Sequence, residues 1–396
     1  MSDLSYMEKL LDGVEVEWKT LEDVGSFQRG KRFVKKDMIS EGFPCIHYGE
    51  MYTHYGVWAK VTKSFVAKDL ASKLRVAEYG DVVIVAAGET IEDIGQGTAW
   101  LGESSVVTHD ACFSYKSLLN PKYVSYFLRT RIFHDQIKPY ISSGKISAIN
   151  AKGLGKAKIP IPSATVQAEI VRILDAFTEL TAELTAELTA RKQQYIYYRD
   201  QLLTFEKGEV EWELLGDVTV YEQPTKYLVK TKEYNDKFRT PVLTAGKTFI
   251  LGYTNETQGI NKASENPVII FDDFTTANKW VNFDFKVKSS AMKMIKSVDE
   301  TKVMQKYIYY WLNTLPNELT DGDHKRHWIS NFAKKEIPVP PLAEQQRIVS
   351  ILDKFDALTT SLTEGLPREI ELRQQQYEYY RELLLSFPKA EVAHHD

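Results

Sequence analysis

Few segments of this sequence have residue types that could do chemistry, and most fail on spacing. TAGKTF (Thr244–Phe249) matches the end of a phosphate-binding loop, but position 241, where that loop needs a glycine, is proline. The segment reads instead as a turn between strands. His324 and His327 in GDHKRHW lack the Cys or carboxylate partners of a metal site, and Cys45 and Cys112 have no CxxC spacing. Asp272–Asp273 and Glu89…Asp93 are isolated carboxylates, read as solvated surface or turn residues rather than a nuclease centre. There is no GxGxxG and no NPPY- or DPPY-type aminomethylase motif, so no seat for a methyl donor is visible. Catalysis by this chain alone has no support, and no catalytic residue, metal or cofactor is assigned to it.

The remaining candidates are basic and loop-like. QRGKRFVKK (Gln28–Lys36) clusters Arg29, Lys31, Arg32, Lys35 and Lys36, and SSGKIS (Ser142–Ser147) offers Lys145 among small polar residues. Further on, TTANKW carries Asn278 and Lys279, and GDHKRHW carries Lys325 and Arg326. Arginine reads guanine edges, asparagine reads adenine, and lysine neutralises phosphates, so these ten residues are candidate DNA contacts. A formal net charge of −4 and a pI near 6.1 give no basic domain, so any DNA surface must be a local patch.

The elements that would position these loops repeat. VEVEWKTLEDV (Val14–Val24) returns as GEVEWELLGDV (Gly208–Val218), and IPIPSATVQAEIVRILDAFTELT (Ile159–Thr181) as IPVPPLAEQQRIVSILDKFDALT (Ile337–Thr359). RKQQYIYYRDQLLTF (Arg191–Phe205) returns as RQQQYEYYRELLLSF (Arg373–Phe387), and YVSYFLRT (Tyr123–Thr130) more weakly as YIYYWLNT (Tyr307–Thr314). The stretches between these borders barely resemble each other. Shared framing with divergent contents predicts two modules of one fold, retuned for two targets. YMEKLLDGVEVEW (Tyr6–Trp18) reads like YRDQLLTFEKGEVEW (Tyr198–Trp212), so the pattern closes on itself with an approximate two-fold.

The modules read as mixed α/β. GDVVIVAAG (Gly80–Gly88) and PVIIFDD (Pro267–Asp273) are buried strands, SSVVTHDACFSY (Ser104–Tyr115) continues as a strand, and YVSYFLRTRIF and VMQKYIYYWLNTL are helices packed on the sheets. From Ser163 to Lys207 there is no Gly or Pro, and apolar residues recur at three- and four-residue steps: one long amphipathic helix. TAEL stands in it twice, at Thr181–Leu184 and Thr185–Leu188, after a trimmed copy at Thr178–Leu180. Each unit lengthens a helix by roughly 6 Å and turns the chain beyond it by about 40°. In the second helical block Gly365 and Pro367 predict a break with a restart at Pro367. The circular repeat predicts that the two blocks form an antiparallel coiled coil.

Together the two I-P-[IV]-P…ILD-x-F blocks, the TAEL units, the two R-x-Q-Q-Y-x-Y-Y-R helices and the twin EVEW starts resemble the specificity subunits of type I restriction–modification systems. The resemblance covers essentially the whole chain and points to the IC-like subfamily with TAEL repeats. It implies an α+β fold with two mixed α/β target-recognition domains joined by long helices. The expected layout is an N-terminal stub (1–13), a first recognition domain (14–158), a central helical spacer (159–207), a second recognition domain (208–336), a C-terminal spacer (337–390) and a tail (391–396). Each recognition domain would read half of a bipartite site in double-stranded DNA. The resemblance further implies two methyltransferase subunits, docking on Tyr195, Tyr197, Tyr198, Tyr377, Tyr379 and Tyr380 of the doubled helix, and motor-nuclease subunits. S-adenosylmethionine would sit in the methyltransferase, and ATP and Mg in the motor. The acidic, polar N-terminus and the lack of a long apolar run predict a cytoplasmic protein. The alternatives are a coiled-coil scaffold that binds no DNA, and a stand-alone nuclease or NTPase.

Overall fold

The computed structural model describes residues 16–244, 248–315, 326–360 and 364–387. The chain divides into two compact units, Met1–Glu183 with Ile370–Asp396, and Leu184–Glu369. Each unit therefore combines a module, the start of the helical block after it, and the end of the other block.

In the first unit two five-stranded sheets carry the module. One runs in the order Gly25–Arg29, Cys112–Ser117, Val82–Val85, Gly97–Trp100, Trp58–Ala59. The other runs Met38–Ile39, Ser64–Val66, Phe43–Ile46, Val106–Thr108, Val76–Ala77. Val82–Val85 (VVIV) is buried at every position, as β-branched residues in a central strand should be. The expected single strand across Ser104–Tyr115 is instead two strands in different sheets. They are split where Cys112 N donates to His109 O and the His109 ring accepts from Ala111 N. A histidine that ties up the backbone locally ends one ladder and starts another.

The second unit has a four-stranded sheet, in the order Thr219–Glu222, Met292–Ser297, Val268–Asp272, Asn278–Val281, and a three-stranded one, Ile250–Thr254, Thr240–Leu243, Lys286–Val287. TAGKTF lies between the antiparallel strands Thr240–Leu243 and Ile250–Thr254, with its centre outside the described residues. Asp273 is a turn residue as expected and Asp272 ends the strand before it, but neither is solvated: Asp272 is 5% and Asp273 2% exposed.

Each module is closed by a short antiparallel pair between its opening EW segment and its IP segment: Trp18 opposite Pro160, and Trp212 opposite Pro338. The IP segment leads into the helical block. The first block is one helix, Ala164–Leu202, roughly 58 Å long at 1.5 Å per residue. It stops five residues short of Lys207, and just beyond its end Thr204 Oγ1 donates back to Asp200 O at 2.6 Å. Leu180, Leu184 and Leu188 of the repeats are half-buried, while their Ala and Glu residues are exposed. The second block is two helices, Leu342–Thr359 and Gly365–Leu384. The break falls where expected, but the restart is at Gly365, whose φ of +74° favours glycine. Among the described residues no helix is long and apolar enough to cross a membrane.

Candidate nucleic-acid interface

The side chains that seat each module on its helix recur almost residue for residue. Gln167 and Gln345, 5% and 0% exposed, lie in the first turns of their helices. Their amides donate to Pro162 O and Pro340 O at 2.9 and 2.8 Å, and their carbonyls accept from Asn120 N and Met304 N, again at 2.9 and 2.8 Å. Each glutamine thus closes its own helix start and caps the module helix beside it, Pro121–Phe127 or Gln305–Leu312. Tyr123 and Tyr307 donate to Pro160 O and Pro338 O, both at 3.0 Å. Tyr126 donates to Asp175 at 2.8 Å, and Tyr310 donates to Asp353. Burial, with hydrogen bonding to the neighbouring carboxylate adding to it, holds both hydroxyls well above the usual tyrosine range, so they stay protonated donors. The repeats place these pairs at corresponding positions, the glutamines and aspartates 178 residues apart and the tyrosines 184. Their roles were hidden because a glutamine or tyrosine in a periodic helix gives no sign of the backbone it will meet.

The basic stretch of the first module is built around Gly30 and Phe33. A Cβ on Gly30 would lie 2.2 Å from His109 O, so only glycine lets the backbone pass this closely. Phe33 is buried with Cys45, Val66 and Val107, its ring 5.8 Å from His47 and 5.1 Å from His109. Arg29 Nε donates to Asp110 O at 2.9 Å, and Lys31 Nζ donates to Lys73 O at 2.9 Å. Arg32, Lys35 and Lys36 make no side-chain hydrogen bond or ion pair among the described residues, and all three are exposed. Of the five cations, two shape the loop and three are left for a partner. Lys145 is exposed in a separate loop closed by paired hydrogen bonds between Ser142 and Ala148.

His47 and His109, which the basic pattern did not single out, lock this loop. Their rings are 4.6 Å apart, and each Nδ1 accepts a backbone N–H, from Gly49 at 3.2 Å and Ala111 at 3.1 Å. Burial lowers both pKa values; His109 adds to the effect on His47, while Asp110 opposes it for His109. The pair is neutral at pH 7, since a protonated Nδ1 would confront an N–H.

In the second module the candidates gather at one hairpin tip. The turn from Asp272 to Ala277 is closed by Asp272, which accepts from Phe274 N at 2.9 Å and Thr275 Oγ1 at 2.5 Å. Thr276 adopts φ +59°, an unusual conformation for a β-branched residue. Asp273 then ties the tip to the short helix His327–Ser330: its carboxylate accepts from Trp328 N at 2.8 Å and its carbonyl from His327 N at 3.0 Å. Arg326, exposed at the head of that helix, thereby joins Asn278 and the exposed Lys279 at one tip. The Asn278 Oδ1 and His327 Nε2 atoms are buried without a hydrogen-bond partner among the described residues. Lys325 lies outside the described residues, as does His324.

The six tyrosines divide. Tyr377 is 7% exposed and Tyr195 half-buried; Tyr198 stacks on Phe355 at 5.8 Å and Tyr380 on Phe177 at 5.3 Å. In each triplet the middle ring is the most exposed, Tyr197 at 58% and Tyr379 at 52%. The outer tyrosines are thus engaged in packing their own unit. Tyr379 lines a groove of about 1040 Å³ with Arg131, His134, Lys138 and Arg381. No group of three or more His, Cys, Asp or Glu side chains able to hold a metal ion occurs among the described residues.

The chain thus carries two modules on a repeated polar frame, each with basic or amide-bearing side chains at one tip. The family model for the type I restriction modification DNA specificity domain matches the chain twice, over residues 13–191 and 209–372, and the chain belongs to that family, the type I specificity subunits. It is 33% identical to a putative type I restriction enzyme specificity subunit of Haemophilus influenzae, over 97% of this chain and 98% of the relative. It is 64% identical to a type I restriction enzyme specificity subunit of Escherichia coli, over 46% of each chain, so it spans under half the length of that relative. Among solved structures, the S subunit of a type I system from M. genitalium matches in fold with a TM-score of 0.59 at 14% identity, over 96% of this chain and 97% of that one.

Proposed function

We propose that each module reads one half of a bipartite site in double-stranded DNA, and that the helix Ala164–Leu202 sets the distance between the halves. The observation that carries this is the frame: identical polar connections surround two modules whose sheets and tips differ. A protein that needed one target twice would have kept the tips alike. In the first module Arg32, Lys35 and Lys36 supply phosphate or guanine contacts, with Lys145 adding a further cation from its own loop. In the second, Asn278 supplies the adenine-type amide, Arg326 a guanine-type fork, and Lys279 with Lys325 the phosphate contacts.

Two methyltransferase subunits dock on the tyrosine-rich helices of the two helical blocks, where Tyr197 and Tyr379 are the most exposed rings. The chain itself performs no turnover. S-adenosylmethionine belongs to the methyltransferase, ATP and Mg to motor-nuclease subunits, and the complex works in the cytoplasm. The experiment is to co-express the chain with its methyltransferase subunit and map methylated adenines genome-wide. One motif with two short specified halves and a fixed unspecified gap is expected. A single uninterrupted motif, or methylation that does not depend on this chain, defeats the proposal; methyl transfer by the purified chain alone defeats its non-catalytic part.

A further inference from the structure

Where each module meets its helix, one lysine is held between an aromatic face and a carboxylate. In the first unit Lys122 Nζ sits 4.3 Å from the centre of the Trp58 ring and 2.6 Å from Asp175. In the second, Lys306 Nζ sits 4.4 Å from the Trp280 ring and 3.4 Å from Asp353, with the Tyr309 and Tyr310 rings each at 5.5 Å. Both lysine side chains are mostly buried, 19% and 18% exposed. Both tryptophans stand on the edge strand of the module's principal sheet, Trp58–Ala59 and Asn278–Val281. The same carboxylate takes the hydroxyl of Tyr126 or Tyr310. Two residues further along each helix, Phe177 or Phe355 receives the tyrosine helix.

We infer that Lys122 with Trp58, Tyr126 and Asp175, and Lys306 with Trp280, Tyr310 and Asp353, are positioning residues that fix the rotation of each module on its helix and so restrict the chain to one spacing between half-sites. This rests on the helix acting as the ruler. Apolar contact is non-directional, so packing alone would let a module turn about its helix. A lysine held between a ring face and a carboxylate, beside a directed hydroxyl bond, has one good arrangement and loses its partners when the module turns. One base pair corresponds to about 35° of duplex rotation, so a module free to turn by that much would accept the neighbouring spacing. The modules differ in strand number and loops, yet this set recurs on an edge strand and a helix in both. In the second module the edge strand begins with Asn278 and Lys279, immediately ahead of Trp280, so the latch acts close to the proposed reading tip.

The test uses the full chain co-expressed with its methyltransferase subunit and compares methylomes of the parent, Lys306→Met, Lys306→Arg, Tyr310→Phe and a chain with one added TAEL. Lys306→Met and Tyr310→Phe are expected to keep the half-site bases and to raise methylation at gaps one base pair shorter or longer by about tenfold or more relative to the parental gap, the loss of one directed contact. Lys306→Arg, which keeps a cation over the ring and beside the carboxylate, is expected to stay at the parental gap. If Lys306→Met does not assemble, Tyr310→Phe decides, since it removes one hydroxyl only. An unchanged gap selectivity in Tyr310→Phe, or altered half-site bases, overturns the inference. If the TAEL insertion moves the gap while the latch variants stay strict, the latch alone is wrong; if the insertion leaves the gap unchanged, the ruler fails and the latch with it.

Discussion

The two units use the same residues to seat a module, but they distribute the weight differently. In the first, Lys122 and Asp175 form a close pair at 2.6 Å, with the carboxylate 18% exposed. In the second, the Lys306–Asp353 separation is 3.4 Å, the carboxylate is 47% exposed, and the ammonium has three rings around it. A close, shielded ion pair keeps much of its strength, whereas an exposed one is worth little and the aromatic faces take over. The same geometry is reached by two balances of forces. What is held constant between the units is therefore the placement of the module on its helix, while the energetics that secure it have drifted.

The largest test of that constancy is to move a module without touching either frame. One more TAEL after Leu188 adds about 6 Å of helix and about 40° of rotation. A base pair advances about 3.4 Å and turns about 35°, so rotation matches one step while translation lies between one and two. Rotation should decide, because a module facing the wrong side of the duplex cannot reach its groove, whereas a small axial mismatch can be absorbed by bending. Methylome mapping should show both half-sites intact with a gap one base pair longer and the parental motif essentially unmethylated.

A smaller effect separates the tips. Asn278→Ala and Arg326→Ala should each weaken binding through the second half-site by about 1–3 kcal/mol, roughly 5- to 150-fold, and leave the first half-site's bases as strictly read as before. Binding by the methyltransferase-bound complex to duplexes mutated in one half-site at a time would show this. Equal relaxation of both halves would mean that the hairpin tip supports the frame rather than reads DNA.

The frame was largely legible in the sequence and the tips were not. The offsets between repeats located both modules, the long helix and the break before Pro367, because periodicity and proline act locally. They also fixed which glutamines, tyrosines and aspartates correspond, but not their partners, since Gln345 meets Met304 N only after the chain folds back. Asp272 and Asp273 looked like surface residues because their donors, Thr275 and Trp328, come from a tight turn and from a helix some fifty residues on. Which tyrosines of the tyrosine-rich helix pack inward was not legible, because an amphipathic stripe does not name its partner; Tyr380 meets Phe177 and Tyr198 meets Phe355.

The balance of forces at the two latches predicts unequal costs for the same change. Asp175→Asn removes the charge from a close, shielded pair and should destabilise the first unit by about 1.5–3 kcal/mol. Asp353→Asn acts on a longer, half-exposed pair and should cost about 0–1 kcal/mol, since solvent already screens it and the rings still hold the lysine. Denaturant unfolding followed by hydrogen exchange in each unit would measure both. Equal costs, or a larger one at Asp353, would show that separation and exposure of the pair do not govern the energetics.

The smallest expected effect is a difference in acid sensitivity. His47 and His109 have pKa values lowered from 6.5, chiefly by burial, with Lys35 and Arg32 acting in the same direction and Glu50 and Asp110 opposing. The unfolded chain therefore binds more protons than the folded one between pH 6.5 and the lower folded values. The linked stability is fully present above about pH 6.5 and is lost as pH falls through that window, because protonation must break the Nδ1 bonds from Gly49 and Ala111. His134 shifts in the same direction on the helix Arg131–Ile137, through burial and then Arg381, so the read-out has to be local. His327 is the only described histidine of the second unit. Hydrogen exchange at Gly30–Phe33 should accelerate on acidification from about pH 7.5 to about pH 5.5, while the strand Val268–Asp272 changes less once intrinsic exchange is corrected for. Replacing both histidines with asparagine, whose Oδ1 can accept where Nδ1 did, should flatten the slope at Gly30–Phe33 alone. A slope that persists in that variant, or that is equal in both modules, would remove the histidine pair as the reason the first tip responds to pH.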